Sequence, residues 1–210
     1  LRVNDPNNPG RTYLSGKGLA YPVILSGKEA QMLADVRAES NAQVERMCAK
    51  LNAHLDAVKA GFSIDFKQVV KDLTRGSVRE RHLAKALRMA VDAAAGNAGD
   101  RLALYERIFG GQPLKSAIEN DAAVENEIRS KLLKSGGAAF VPEDPKAFLP
   151  METVCRIIEA AGGIPTYPFL ADDAKGNFTD FEGDLQKAAD TLKKRGFKSV
   201  EFITTRNTTA

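Results

Sequence analysis

The sequence contains no tryptophan and only two cysteines among its 210 residues. Cys48 and Cys155 lie far apart in helix-like segments and lack the close spacing of metal-binding cysteines, so we expect free thiols in a reducing compartment. No run of about 18 apolar residues occurs, so no membrane-spanning helix is predicted, and no signal-peptide pattern opens the chain. These absences together predict a cytoplasmic protein with no membrane partner.

The chain also lacks a strong excess of either charge, with 30 Lys and Arg residues against 27 Asp and Glu residues and a net charge of +3. Such a balance predicts a mildly basic surface and does not favour nucleic acid as a partner. The two basic clusters are predicted to be solvated faces, because few aromatic side chains that could stack on bases accompany them. They comprise Lys193, Lys194 and Arg195, and Arg79, Arg81, Lys85 and Arg88.

Hydrophobic spacing and the positions of glycine and proline divide the chain into three parts. Residues 1–27 are rich in Asn, Pro and Gly and are predicted to hold short strands and a loop. Residues 28–135 predict a helical module, because apolar residues recur at spacings of three and four between glycine-containing breaks. Residues 136–210 alternate between helix-like and strand-like segments, which is typical of parallel strands in a sheet or barrel. We therefore predict a helix-rich α/β fold.

Local patterns predict the bounds of several elements. Residues 11–14 and 20–25 are strand candidates on either side of a turn at 15–18. The remaining expectations are a helix N-cap at Ser77, a helix over residues 114–134 and a strand-like segment at 139–142.

The segment from Ala160 to Phe169 has the most informative pattern in the chain. It follows an amphipathic helix and consists of a double-glycine turn, a short apolar strand and an exit at Pro168. In an α/β barrel, a strand of this kind delivers a side chain to the mouth of the barrel, where such enzymes keep their catalytic residues. The side chain in that position is Tyr167.

Three roles for Tyr167 remain open at this stage. The phenol could pack as a buried aromatic residue with its hydroxyl hydrogen-bonded. It could serve as a metal ligand or proton donor beside a metal held by other residues, or it could stack on a base or contact a substrate phosphate. A neutral phenol is a poor ligand unless the metal lowers its pKa, so a tyrosine here weakens the catalytic interpretation.

His82 lies at the start of a predicted helix, next to Arg79 and Arg81. Helix N-terminal amides and nearby positive charges favour an anion, so this corner could bind phosphate. The alternative is a partly buried histidine on an amphipathic helix with ordinary surface arginines. His54, by contrast, falls within the long helix beside apolar residues and is predicted to be structural.

Four further candidates lie near the ends of the C-terminal strands. Asp172 and Asp173 follow the first of these strands, where paired carboxylates could bind a divalent cation or could simply be solvated. Glu201 and Arg206 bracket the exit of the last strand, and Arg206 could pair with a phosphate group.

These segments, in their order, resemble the polymerase and histidinol phosphatase (PHP) family of metal-dependent phosphoesterases. The glycine-pair strand is similar to the family's Ala-Gly-Gly-Ile-x-x-x-His-Pro strand, with Tyr167 in place of a metal-binding histidine. A second similarity is to the Arg-Pro-His-Ile-Ala-x-x-Leu motif in the helical insertion of the nucleotide-phosphoesterase and RNA-exonuclease branch. The residues that carry it are Arg81-His82-Leu83-Ala84-x-x-Leu87, and Phe140-Val141-Pro142 follows in the family's order.

The resemblance implies a partial, distorted β/α barrel of PHP type, with residues 28–135 as its helical insertion. It also implies a divalent metal (Mn, Zn or Mg) in the intact parent and a nucleotide or small phosphorylated substrate. Arg79, Arg81 and His82 would hold the substrate phosphate and Tyr167 would lie at the edge of the metal site. The family places a glutamate at the position of Glu201, where it would support the site without ligating metal.

Two alternatives to a catalytic protein follow from the motifs that this chain lacks. The family's His-x-His and Asp-x-His motifs are absent and neither terminus resembles a natural boundary, so we expect a fragment that is inactive by itself. The first alternative is a non-catalytic PHP-derived binding or interaction module that has lost its metal ligands. The second is a stand-alone helical interaction domain, which predicts that residues 138–210 form no parallel strand pair.

Overall fold

A computed structural model describes residues 13–169 and 181–202, which fall into two compact units. Residues 34–148 form the unit called here the helical unit, and the described residues of 1–33 and 149–210 form the sheet unit. The predicted helix-rich α/β organisation is confirmed. The helices are α1 Gly27–Ala57, α2 Phe66–Leu73, α3 Glu80–Ala94, α4 Ala98–Ile108, α5 Asp121–Ile128, α6 Met151–Ala160 and α7 Leu185–Lys194, and the strands are β1 Ser15–Lys17, β2 Ile164–Phe169 and β3 Ser199–Phe202.

The core of the helical unit forms where apolar faces of its helices meet. Val44, Met47, Leu51 and Leu55 of α1 recur at spacings of three and four, which places them on one buried face. Leu83, Leu87 and Val91 of α3 belong to the same buried cluster. Both cysteines are free and buried, and none of the described helices is long and apolar enough to cross a membrane.

The helix expected over residues 114–134 begins only at Asp121, because a side chain holds the preceding loop in another conformation. The carboxylate of Glu127 accepts hydrogen bonds from the backbone amides of Lys115 at 3.0 Å and Ser116 at 2.8 Å. It also forms an ion pair with Lys131 at 3.0 Å. Beyond α5, the chain continues as a π-helical turn over Arg129–Leu133.

The strand-like segment at 139–142 is not a strand in the structure. Its amide and carbonyl groups bond to other elements of the helical unit, so no sheet partner is needed. Ala139 donates its amide to the carbonyl of Leu132, and two side chains of α1 donate to the next carbonyls. These are Lys50, which contacts the Phe140 carbonyl at 3.0 Å, and Gln43, which contacts the Val141 carbonyl at 2.8 Å.

The sheet unit contains one three-stranded sheet in the order β1-β2-β3. β1 runs antiparallel to β2, and β2 runs parallel to β3, with Tyr167 opposite Val200. This parallel pair contradicts the stand-alone helical domain, which required that residues 138–210 form none. The described strands make this single sheet and do not form a barrel.

The predicted turn at residues 15–18 was wrong, because Ser15–Lys17 is strand β1, and residues 20–25 do not form the predicted strand. The hydrogen-bonding partner of β1 is β2, nearly 150 residues later, so no local pattern could reveal the pairing. The glycine pair before β2 does form the predicted turn. Gly162 has a φ of +75°, a left-handed conformation that favours glycine.

We expect Glu127→Gln to lower the free energy of unfolding by about 1–3 kcal/mol, because two backbone amides lose a charged acceptor. Burial alone would raise the pKa of Glu127, but its hydrogen bonds lower the pKa to about 2. The stabilisation is therefore present above the usual value of 4.5 and is lost as the pH falls toward 2. Chemical denaturation at pH 7 and pH 3, followed by circular dichroism, measures both effects.

The control for this prediction is Glu119→Gln, which changes an exposed carboxylate of the same loop. Equal losses of stability in the two variants at pH 7 would contradict the role given to Glu127.

Candidate anion-binding site

A concave surface of about 470 Å³ lies in the helical unit between the end of α2 and the start of α3. It contains the sequence-predicted residues Arg81 and His82, together with a third basic residue, Arg75, that the sequence indicated only as part of a helix break. The remaining lining residues are Asp72, Leu73, Thr74 and Ser77.

The loop that forms this surface is held in place by two polar side chains. Asn41 of α1 donates to the carbonyl of Gly76 at 2.9 Å and accepts from the amide of Val78 at 3.0 Å. Thr74 donates to the Val70 carbonyl at 2.8 Å and accepts from the Gly76 amide at 3.0 Å. Four hydrogen bonds therefore fix the path of the chain into α3.

The N-cap of α3 is Arg79 and not the predicted Ser77. Arg79 has extended backbone angles, its carbonyl accepts from the His82 amide at 2.9 Å, and its own amide donates to Nδ1 of His82 at 3.0 Å. The His82 side chain thus makes the half of a capping box that the N3 residue supplies, in the place usually taken by Glu or Gln, while Arg79 contributes only backbone groups. The cap therefore fixes the orientation of the imidazole ring.

The hydrogen bond to Nδ1 also defines the protonation state of His82. A nitrogen that accepts a hydrogen bond carries no proton, so the proton of the neutral ring lies on Nε2. Burial and the positive charge of Arg81 lower the pKa of His82 below its usual value of 6.5, and Glu80 opposes them only in part. His82 is consequently a neutral donor at pH 7.

Positive charge at the concave surface comes from two arginines. The guanidinium groups of Arg75 and Arg81 are exposed, and within the described part of the chain neither forms an ion pair. Glu80 does not neutralise them, because its carboxylate binds Arg129 at 2.7 Å. The Arg79 side chain, expected to contact the same ligand, does not line the surface and lies 3.5 Å from the Val78 carbonyl.

Tyr167 is fully buried in the sheet unit. Its hydroxyl donates to Oε1 of Glu182 at 2.9 Å, and its ring packs edge-on against Phe181 and Phe197. Burial raises the pKa of Tyr167 far above its usual range, and the carboxylate of Glu182 raises it further. This geometry is the one expected of a packed aromatic residue with a hydrogen-bonded hydroxyl, and its catalytic role stays a prediction.

The other candidates from the sequence are not part of the concave surface at α3. Glu201 belongs to the sheet unit, where its carboxylate pairs with Lys17 at 2.9 Å. Nε2 of His54 lies 2.8 Å from the Ile108 carbonyl, a contact between two helices. The three candidates Asp172, Asp173 and Arg206 lie outside the residues that the structure describes.

A divalent metal does not fit the groups formed by residues 13–169 and 181–202. No three His, Cys, Asp or Glu side chains among them lie close enough together to hold an ion. Tyr167 donates its hydroxyl proton to Glu182, and Glu201 is already paired with Lys17. Among residues 13–169 and 181–202, therefore, no group of side chains is arranged to hold a divalent metal.

The comparisons with known proteins give one distant structural similarity. No protein-family model and no curated protein sequence matches this chain. Among solved structures, the chain is similar to a protein of Bifidobacterium adolescentis provisionally named a metal-dependent phosphoesterase, with 16% sequence identity and a TM-score of 0.44. The similarity covers 84% of this chain and 48% of that protein, so the chain spans about half the length of the matched structure.

We expect nitrogen NMR of His82 to show the Nε2–H tautomer at pH 7 and a pKa below 6.5. Because the unfolded state then binds the proton more tightly than the folded state, stability falls as the pH drops below about 6.5. His82→Gln keeps an acceptor for the Arg79 amide but does not titrate, so that variant lacks this part of the pH dependence. A measured pKa at or above 6.5 would rule out the assigned cap.

For the sheet unit, we expect Tyr167→Phe to lower the free energy of unfolding by about 1–3 kcal/mol, because the fully buried Glu182 loses a hydrogen-bond donor. Tyr21→Phe is the matched control, since the side chain of Tyr21 is 99% exposed. Denaturation followed by far-ultraviolet circular dichroism compares the two variants. A Tyr167→Phe protein as stable as the control would show that the buried hydrogen bond contributes nothing.

Proposed function

We propose that residues 75–82 hold the phosphate group of a nucleotide or small phosphorylated substrate for a phosphoesterase of PHP type. The observation that carries the proposal is that Arg75, Arg81 and His82 line one concave surface at the start of a 15-residue helix. The similarity of Arg81-His82-Leu83-Ala84-x-x-Leu87 to a PHP insertion motif supports the same role.

The chemistry of these groups suits a phosphate dianion. Each guanidinium presents planar N–H donors that can bind two phosphate oxygens at once. His82 adds an Nε2–H donor whose direction is set by the cap, and the amide end of α3 adds a partial positive charge. A cationic ligand would instead be repelled by the two arginines.

In this role the chain binds the phosphate group, orients it and offsets its charge. A metal-dependent phosphoesterase uses a divalent ion to polarise the phosphoryl group and to generate hydroxide. Since the described residues do not fit such an ion, the proposal assigns them substrate binding and no chemical step.

A second candidate function is a non-catalytic, PHP-derived binding or interaction module. The burial of Tyr167 favours it, because the residue at the position of the family's metal-binding histidine is enclosed and its hydroxyl contacts Glu182. In that case the surface at α3 would bind a phosphorylated ligand without hydrolysing it.

The test of phosphate binding is a titration with inorganic phosphate, followed by backbone amide shifts in the complete 210-residue chain. We expect the largest shifts at residues 75–82, and we expect Arg81→Ala to weaken binding by about tenfold because a charge-assisted contact is lost. Arg37→Ala removes an equal charge from the exposed surface of α1 and is the control. Equal weakening by both substitutions would mean that only net charge attracts phosphate.

Hydrolysis of a generic phosphoester with and without manganese separates the two candidate functions. Manganese-dependent turnover that Arg81→Ala reduces would support the phosphoesterase. Because this chain by itself is expected to be inactive, the assay uses the intact parent, and retained phosphate binding without turnover there would support the binding module.

A further inference from the structure

We propose that this surface selects phosphomonoesters that also carry hydroxyl groups, because Asp72 supplies a hydrogen-bond acceptor beside the phosphate-binding donors. The inference rests on the proposed phosphate-binding role and adds the class of substrate. Its basis is that the concave surface contains a carboxylate as well as two arginines and a histidine.

One edge of the surface offers hydrogen-bond donors and the other offers hydrogen-bond acceptors. Arg81 and His82 lie in the first turn of α3, where the helix presents N–H donors. Asp72 and Leu73 lie in the last turn of α2, where a helix presents carbonyl acceptors. The loop from Thr74 to Val78 joins the two edges and is held by Asn41, so donors and acceptors face one shared space.

The carboxylate of Asp72 is only partly used by the protein. Oδ2 accepts a hydrogen bond from the side-chain amide of Gln68, one turn earlier on α2. No hydrogen bond from the described residues reaches Oδ1. One lone-pair-bearing oxygen therefore remains for a ligand.

The dianion of a monoester without hydroxyl groups gains nothing from Asp72, because it has no O–H donor and its charge is repelled by the carboxylate. A phosphomonoester with a hydroxyl group near its phosphate can donate to Oδ1 while its phosphate oxygens contact Arg75, Arg81 and His82. The volume of about 470 Å³ is within the usual range for small-molecule sites and has room for a short polyol chain or a sugar ring. The carboxylate thus favours hydroxylated esters over other phosphates.

The experiment compares methyl phosphate with glycerol 3-phosphate, two monoesters of equal charge of which only the second carries hydroxyl groups. Both are titrated against the complete chain at pH 7.5, with dissociation constants from amide shifts at residues 75–82. We expect glycerol 3-phosphate to bind about fivefold more tightly, the size of one modest hydrogen bond to a charged acceptor.

The variant Asp72→Asn gives the decisive result. It should bind methyl phosphate as tightly as the wild type or more tightly, since a repulsive charge is removed. The preference for glycerol 3-phosphate should fall toward one, since the neutral amide oxygen of asparagine is a weaker acceptor than a carboxylate. Asp56→Asn changes net charge equally at an exposed position and should leave the preference unchanged.

Three outcomes would overturn the inference, and they differ in whether they also exclude phosphate binding. Equal affinities for the two esters, both dependent on Arg81, would leave phosphate binding intact and exclude selection by Asp72. Affinities that Arg81→Ala does not change would exclude both proposals. Tighter binding of both esters by Asp72→Asn in equal proportion would show that Asp72 acts only as a repulsive charge.

Discussion

The pair of hydrogen bonds from Asn41 to the loop before α3 is the constraint on which the candidate site depends. The Asn41 side chain bonds both the Gly76 carbonyl and the Val78 amide, and with the two hydrogen bonds of Thr74 it fixes the path of the segment between two helices. Val78 is completely buried next to this contact, so the loop is anchored by apolar packing as well. The positions of Arg75 and Arg81 relative to each other follow from this anchor.

The positive charge at the candidate site comes from two neighbouring arginines and could not be predicted from the net charge of the chain. A net charge of +3 over 210 residues gives no strong field, yet two guanidinium groups share one concave surface. The acidic residue that begins α3 is bound by Arg129, and the histidine beside them stays neutral because burial and the charge of Arg81 lower its pKa. The permanent charge of the arginines and the fixed orientation of the His82 ring together suit an anion.

The elements that could be predicted from the sequence are those whose determining residues lie within the element itself. The periodic apolar residues of α1 lie within the helix that they define, and the sequence placed the start of α2 after Ser63 or Asp65, of which the structure uses Asp65. Strand β1 was missed because its partner is distant in sequence, and the cap of α3 was misplaced because a histidine replaced the usual capping side chain. Arg75 was missed for a similar reason, since it joins the site only through the loop path that Asn41 sets.

The partner of Tyr167 illustrates what a motif leaves undetermined. The glycine-pair strand indicated which side chain to follow, but its hydroxyl donates to Glu182, 15 residues away, which the sequence placed in the first turn of a helix over residues 181–194 and which precedes α7 in the structure. A hydrogen bond between a buried carboxylate and a buried phenol is costly to disrupt, since both groups are fully buried and the phenol would lose its acceptor. The sheet unit is thus specified partly by a polar contact that no sequence pattern predicts.

The measurement that tests the central claim most directly is the position of a heavy phosphate analogue in crystals of the chain. Tungstate has tetrahedral oxygens and strong anomalous scattering, so its location can be read without reference to the protein. The account predicts a peak within hydrogen-bond distance of the Arg81 guanidinium and Nε2 of His82. Peaks confined to other basic groups, such as Lys193 and Lys194 of α7, would contradict it.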